Sequence, residues 1–286
     1  MTLSNTTLNL AGRLWNLDRP VILGVLNVTP DSFSDGGRYS STESAVRKAA
    51  ELVEQGADWL DVGGQSTRPG APDVGVKEEL RRVLPVVKAL AHMGVPVSID
   101  TYRPEVARAA IETGACVIND VSGAGPEMFR VAREFRTPVV VGHMQGTPQT
   151  MQIAPRYDDV FEEVYAHFVE KQNLAREIGV IDLIFDPGLG FGKTLEHNYE
   201  LMRRLDELPR PLMVGLSRKS MIRNLPWLDG SLDDAAFAPE SHALHFWALV
   251  SGADFLRVHD PAVARRLIKT FDVLKPRRHL PLENRA

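Results

Sequence analysis

Short runs of β-branched and aliphatic residues recur eight times along the chain: Ile22–Val28, Trp59–Gly64, Pro96–Thr101, Val117–Ser122, Pro138–Met144, Leu183–Gly188, Leu212–Ser217 and Phe255–Asp260. Each has the length and composition of a strand. Most are continuously apolar rather than alternating, as expected of a parallel sheet covered on both faces. Between them the apolar positions change to a spacing of three and four. In Ser44–Gln55, residues Ala45, Val46, Ala49, Leu52 and Val53 share one helical face. Ser40 and Glu43 fit a capping box before it, and Gly56 fits a C-terminal stop. Glu79–His92, Pro104–Glu112, Glu127–Glu134, Tyr157–Ile178, His197–Glu207 and Ser241–Ser251 carry similar patterns. Eight strand–helix alternations predict an α/β fold closed into a (β/α)8 TIM barrel rather than an open sheet.

An internal echo supports repeated units. Three predicted helices end in Gly-Ala followed at once by a strand, at Gly56-Ala57, Gly114-Ala115 and Gly252-Ala253. Glycine there would supply a left-handed cap and alanine a close fit under the sheet. Leu8–Leu17 alternates about Gly12 and reads as an N-terminal β-hairpin that closes the barrel bottom. The expected organisation is a hairpin over residues 1–20, a barrel over 21–274 and a basic tail over 275–286. The tail contains Lys275, Arg277 and Arg278 and reads as a solvated charge run.

Composition narrows the function classes. The chain has 286 residues, enough for a single barrel of about 250. Hydrophobic residues at 44% and charged residues at 24% exclude a disordered, collagen-like or coiled-coil chain. The net charge of −4 argues against a nucleic-acid partner. It also means that an anionic ligand needs a local positive site. A single cysteine, Cys116, excludes an internal disulfide and a cysteine-based zinc site. No apolar run reaches the roughly 18–20 residues of a membrane span, and no signal peptide is evident. A cytoplasmic protein without a membrane partner is expected.

Barrel chemistry sits at the C-terminal strand ends. Strand one ends in Asn27, and strand two leads into Gln65-Ser66-Thr67-Arg68. Strand three carries Asp100, strand four Asn119 and Asp120, and strand five His143. Strand six carries Asp186, strand seven leads to Ser217-Arg218-Lys219-Ser220, and strand eight carries Arg257, His259 and Asp260. One or two such residues would be helix caps. A ring of them at all eight strands marks a site. Asp100, Asn119 and Asp186 suit a ligand rich in N–H donors, such as an aminopyrimidine ring. Arg68, Lys219, Arg257 and His259 suit phosphate or carboxylate groups. Asn27 offers an oxygen to Mg2+ beside a diphosphate. The Gly/Pro/Ser-rich stretches Thr29–Gly37 and Gln65–Ala71 read as lid loops.

At this point the motifs resemble a known family. NVTPDSFSDGG at Asn27–Gly37, DVGGQSTRPGA at Asp61–Ala71, SIDT at Ser98–Thr101 and IND at Ile118–Asp120 occur in order. HMQGTPQTMQ at His143–Gln152, DPGLGFGKT at Asp186–Thr194, SRKSMI at Ser217–Ile222 and RVHD at Arg257–Asp260 follow. Together they resemble the dihydropteroate synthases, pterin-binding barrels that are usually dimeric. The resemblance implies condensation of 6-hydroxymethyl-7,8-dihydropterin diphosphate with 4-aminobenzoate, giving 7,8-dihydropteroate and pyrophosphate. Sulfonamides mimic the aminobenzoate in this family. By resemblance, Asp100, Asn119, Asp186 and Lys219 hold the pterin, with Met144 and Phe191 lining its pocket. Asn27 is the implied Mg2+ ligand, while Arg257, His259 and Arg68 are implied for the diphosphate. Phe33, Thr67, Pro69, Phe191, Lys219 and Ser220 are implied for the aminobenzoate. Lys219, Arg257, His259, Asp35 and Arg68 are the implied catalytic group. The implied mechanism is dissociative substitution at the pterin methylene without a strong general base.

Some positions depart from the family pattern. Gln65 stands where Glu is more frequent, which puts a charge role there in doubt. Arg223 stands where glycine is common. Pro239–Leu249 is unusually rich in large residues, and its Phe246 and Trp247 are read first as core and second as interface. Lys193 ends GLGFGK, but the phosphate-loop pattern requires glycine where Pro187 stands. His242 and His245 sit three apart without an HExxH pattern, so surface or interface histidines are the default reading. His143 is read equally as a ligand contact or a hydrogen-bonded structural group, and Cys116 as an inert thiol. Two other functions compete with the synthase. A pterin-binding methyltransferase barrel leaves STRPG, SRKS and RVHD unexplained. A non-catalytic paralogue would be expected to lose the loop and anion residues, which are retained here.

Overall fold

The computed structural model describes residues 6–29, 41–68, 70–217, 219–228 and 237–274. Expectations for Ser40, Phe33, Asp35, Pro69, Arg218 and the basic tail fall outside these residues. The chain opens with an antiparallel pair, β1 (Thr7–Leu10) and β2 (Arg13–Asn16). Then follow β3 (Val21–Asn27), α1 (Ser41–Glu54), β4 (Trp59–Gly63), α2 (Gly75–Leu90), β5 (Val97–Asp100) and α3 (Pro104–Thr113). The middle of the chain forms β6 (Val117–Asp120), α4 (Pro126–Phe135), β7 (Val139–Gly142), α5 (Val160–Ile178) and β8 (Leu183–Asp186). It continues through α6 (Leu195–Arg203), β9 (Met213–Gly215), α7 (Ser220–Arg223), α8 (Ala238–Val250), β10 (Phe255–Val258) and α9 (Pro261–Leu274). The parallel strands run in the order β8-β7-β6-β5-β4-β3-β10-β9. A single parallel bridge, Phe185 to Leu212, joins the two ends, with the Phe185 N–H donating to the Pro211 carbonyl at 2.8 Å. The result is a nearly closed (β/α)8 barrel.

All eight predicted runs are strands, and their continuous apolar character has a direct cause. Strand side chains alternate between faces. Here one set faces the barrel interior and the other faces the helices. Val21, Leu23, Trp59, Val117, Val140, Ile184, Met213 and Phe255 form an interior apolar layer at the lower end. Their neighbours Ile22, Leu60, Ile118, Val139, Val141, Phe185, Val214 and Leu256 belong to the larger cluster under the helices. Leu8, Leu10 and Leu17, from the hairpin and the residue after it, join the interior layer. Trp59 lies at its centre, edge-on to Trp15 at 5.6 Å and 5.0 Å from the Phe255 ring.

Helix boundaries moved where caps decided them. The helix read from Tyr157 begins at Val160 because Asp159 accepts the N–H groups of Phe161 and Glu162 at 2.9 and 3.1 Å. The helix read over His197–Glu207 starts two residues earlier, after a capping box between Thr194 and His197, and gives way to a 3-10 turn at Leu205–Glu207. α9 has no counterpart among the predicted helices. The Gly-Ala echo is a repeated cap. Gly56, Gly114 and Gly252 have φ of 102°, 129° and 91°. The following alanines donate to the carbonyls of Leu52, Ala110 and Ala248 at 2.9, 2.9 and 2.8 Å, which is the long bond of a Schellman cap. The core reading of Phe246 and Trp247 needs correction. His245, Ala248 and Leu249 take the buried face of α8, leaving Trp247 48% exposed with its indole N–H on the Met202 carbonyl. Phe246 is half-buried, edge-on to Phe271.

Leu8 is 1% exposed beneath the barrel. Leu8→Ala is expected to cost about 2–5 kcal/mol of stability, as for other buried leucines. Urea denaturation measures it, and a loss below about 0.5 kcal/mol would mean that the hairpin does not seal the interior.

Candidate active site

The polar site follows from the same period of two. The inward position above Trp59 is Asp61, above Val117 Asn119, above Ile184 Asp186 and above Phe255 Arg257. Asp100 stands above Ser98, and Asn27 ends β3. Strand register brings these together. Asp100 lies beside Asn119 and Gly63, Asn27 beside Gly63, and Asp186 beside Gly142. Arg257 donates from Nε to Asp61 Oδ2 and from a terminal nitrogen to Asp100 Oδ2, each at 2.6 Å. Asn119 Nδ2 donates to Asp61 Oδ2 at 3.0 Å. The NH2 of Asn119 must face that carboxylate, so its Oδ1 turns away. Asp61 Oδ1, Asp100 Oδ1 and Asn119 Oδ1 are therefore buried acceptors without a donor. Each such group costs about 1–3 kcal/mol. The arrangement is preset for a ligand that brings N–H donors.

Burial sets the charges. It pushes Asp100 up to about 7; Arg257 opposes this, while Asp61, Glu79 and Asp120 reinforce it. It raises Asp186 as well, against the Gly188 N–H and the charges of Lys219, Arg257 and Lys193. Burial pushes Lys219 down to about 8, with Asp186 and Asp100 pulling the other way and Arg257 adding to the fall. Burial works against the Arg257 guanidinium, yet Asp61 and Asp100 hold it above its ordinary value.

The second wall comes from the β8–α6 turn. Asp186 Oδ1 accepts the Gly188 N–H at 2.8 Å, and the half-buried Phe191 lies 3.8 Å beneath Lys219 Nζ. Met144, half-buried, follows β7. His259 joins the strand-end group, with its Nδ1 3.0 Å from Ser217 Oγ. Thr67 and the exposed Arg68 ride on the β4–α2 loop, and the exposed Ser220 opens α7.

Asp61 was not among the expected site residues. It is fully buried and holds both Arg257 and Asn119. A lone carboxylate inside the apolar run WLDVG, two positions after an inward tryptophan, is the signal that marks it. Gln65 is a second finding. Its amide donates to the carbonyls of Ser66 and Pro72 at 2.8 and 2.9 Å and accepts the Val74 N–H at 2.9 Å, cinching the loop that carries Thr67 and Arg68. An ionised carboxylate could not donate to those two carbonyls. Arg223 lies over the Phe237 ring at 5.5 Å. His245 Nδ1 bonds the Ser241 carbonyl at 2.7 Å within α8. No group of three or more His, Cys, Asp or Glu that could hold a metal ion occurs among the described residues. Cys116 is partly buried, which pushes its thiol up, as for an unreactive group.

Fold and site together define a (β/α)8-barrel enzyme with buried donorless acceptors set beside the cations Arg257 and Lys219. The chain belongs to the pterin-binding family, whose sequence profile, described as "Pterin binding enzyme", matches residues 23–259. It is 47% identical over 262 residues to the dihydropteroate synthase of Escherichia coli strain K12, covering 87% of this chain and 89% of that one. The Xanthomonas albilineans dihydropteroate synthase with 4-aminobenzoic acid superposes with a TM-score of 0.87 at 43% identity, covering 95% of this chain and 98% of that one. The same bacterium's enzyme in complex with 7,8-dihydropteroate gives 0.83 at 40% identity, covering 94% and 98%.

The buried carboxyl of Asp100 makes a pH prediction. An unfolded aspartate titrates near ~4, whereas Asp100 is raised to about 7. The native chain therefore keeps a proton across that window that the unfolded chain releases. Stability should fall as pH rises from about 4 to about 7. In Asp100→Asn that part of the slope should flatten, and an unchanged slope in urea denaturation across the window would assign the proton to another group.

Proposed function

We propose that this chain joins 6-hydroxymethyl-7,8-dihydropterin diphosphate to 4-aminobenzoate, giving 7,8-dihydropteroate and pyrophosphate. One observation carries the reading: donorless acceptors on Asp61, Asp100 and Asn119, beside Asp186, stand next to the cations Lys219 and Arg257. An aminopterin ring supplies the missing N–H groups. Family relatives named for this reaction, one of them holding its product, support it.

In this reading Asp186, Asn119 and Asp100 orient the pterin, Lys219 meets its oxygen and nitrogen edge, and Met144 and Phe191 line the ring. Arg257, His259 and Arg68 receive the diphosphate. Thr67, Phe191 and Ser220 meet the aminobenzoate, a role to which Phe33 and Pro69 are also assigned by the family motifs. Asp35 completes the catalytic set. Asn27 presents one neutral amide oxygen, and among the described residues no carboxylate cluster surrounds it, a donor set that suits Mg2+ only when phosphate oxygens and water complete the shell. When bound, Mg2+ would supply charge neutralisation for the leaving pyrophosphate.

The methylene carbon–oxygen bond breaks, and pyrophosphate departs with the electron pair. Arg257 and His259 stabilise its developing charge. The pterin ring delocalises the positive charge left on carbon. The neutral aniline nitrogen then attacks, a carbon–nitrogen bond forms, and the resulting ammonium releases a proton. No strong base is needed, because that ammonium is acidic. We further assign a homodimer in the cytoplasm. The exposed Trp247 and Val250 of α8 give an apolar face for self-association, and no described helix is long and apolar enough to cross a membrane.

Pyrophosphate release from purified protein tests the reaction. Release should need both substrates and should fall at least a hundredfold in Lys219→Ala, roughly what loss of one electrostatic contact to the reacting groups costs. Tight pterin diphosphate binding without release would instead identify a binding protein. Asn27→Ala should lower turnover and raise the Mg2+ concentration needed for half-maximal rate. The same Mg2+ dependence as the parent would remove Asn27 from that role.

A further inference from the structure

Lys193 is 3% exposed, yet no part of the reaction above uses it. Its Nζ lies 3.2 Å from the His143 carbonyl, 3.1 Å from those of Gly188 and Phe191, and 2.9 Å from His143 Nδ1. Three carbonyl oxygens that converge on one point repel each other unless a cation sits between them. Burial pushes the Lys193 ammonium down to about 7, with Asp186 pulling the other way and Lys219 adding to the fall. The geometry favours the charged form, since an ammonium offers three N–H donors to the four acceptors, whereas a neutral amine would turn a lone pair toward one of them. His143 fits this arrangement. Burial, helped by the nearby Lys193 charge, holds the imidazole neutral, so the Nδ1 facing the ammonium carries a lone pair and the proton sits on Nε2.

The contacts join two strand ends. His143 leaves β7, whereas Gly188 and Phe191 belong to the turn after β8. The turn presses so closely on β7 that a Cβ at Gly188 would lie 1.8 Å from the His143 carbonyl oxygen. Other carbonyls of the turn have their own donors. Gln152 Nε2 reaches that of Gly190 at 2.9 Å, and the Tyr157 hydroxyl reaches that of Gly192 at 2.8 Å. The two carbonyls that Lys193 takes, that of Gly188, which also accepts the Phe191 N–H at 3.0 Å, and that of Phe191, bracket the segment after Asp186, whose carboxylate takes the Gly188 N–H, up to Phe191, which faces Lys219.

We propose that Lys193 is a positioning residue of the pterin pocket, an internal cation that holds the β8–α6 turn against β7 and so sets Asp186 and Phe191 for the ring. This rests on the substrate reading above only for the identity of the ring. Charge separates it from a packing role. Lys193→Met keeps the side chain's bulk and removes the donors. Lys193→Ala opens a slot that an alkylammonium ion can fill.

Calorimetric titration with the pterin diphosphate should show affinity about tenfold weaker or worse in both variants, the effect of leaving the His143 and Phe191 carbonyls without the Lys193 donor. Added propylammonium should restore most of the binding in Lys193→Ala and none in Lys193→Met. Unchanged affinity in Lys193→Met overturns the proposal, as does a loss in Lys193→Ala that propylammonium leaves untouched. The wild type decides the matter should neither variant fold. Nitrogen-15 spectra of histidine-labelled protein near neutral pH should show His143 unprotonated at Nδ1 and protonated at Nε2. A proton on Nδ1 overturns the clamp. Wild-type protein that gives the expected His143 spectrum but does not bind the pterin diphosphate would support the clamp and reject the substrate reading.

Discussion

Arg257 lies inside the barrel between Asp61 and Asp100, and the polar half of the molecule is organised around it. A guanidinium buried alone would be prohibitively costly, and so would either carboxylate. Two bonds of 2.6 Å make the group tolerable. They also fix the orientation of both carboxylates, and through Asp61 that of the Asn119 amide. Each of these side chains is left with one oxygen unused. The site is rigid because its charges have no other way to be buried, and it is unsatisfied because Arg257 and Asn119 cannot fill every acceptor.

The apolar layer below makes this possible. Trp59, Phe255 and the hairpin leucines close the lower end of the barrel, so the charged layer opens only toward the upper loops. Strand geometry then delivers the chemistry. The residue two places beyond each interior hydrophobe faces the same way, and parallel register aligns those residues across neighbouring strands. The loops add what the strands cannot. Gln65 gathers the β4–α2 loop through three bonds of one amide, while Lys193 draws the β8–α6 turn onto β7. Neither group touches the acceptor cluster, and both act through backbone carbonyls.

The same balance bears on catalysis. In the proposed reaction the enzyme supplies little acid–base chemistry. It holds a ring by its N–H groups, places cations where a diphosphate will leave, and lets an aniline attack. Preorganisation of that kind asks for buried groups that are poorly satisfied until the ligand arrives. The raised Asp100 and Asp186 and the lowered Lys219 are consequences of the same burial.

Much of this was legible in the chain alone. Apolar runs of strand length, helical spacing between them and Gly-Ala stops are local patterns, since strand and helix periods are properties of neighbouring residues. Ordered motifs such as DPGLGFGKT and RVHD carried the family and the acceptors Asp100, Asn119 and Asp186. Asp61 escaped because its role depends on Arg257, 196 residues away. Lys193 looked idle because three of its four partners are backbone oxygens, which no side-chain pattern records. Gln65 looked like a lost charge until the loop showed both of its N–H groups in use. Trp247 sits at a helical spacing that suits a core, but only packing decides which face of α8 meets the barrel. Sequence by itself determined the elements, their order and the residue types at the strand ends, because short-range stereochemistry governs them. Tertiary structure alone decided which charges are paired and which carbonyls meet a cation, because those depend on distances between residues far apart in the chain.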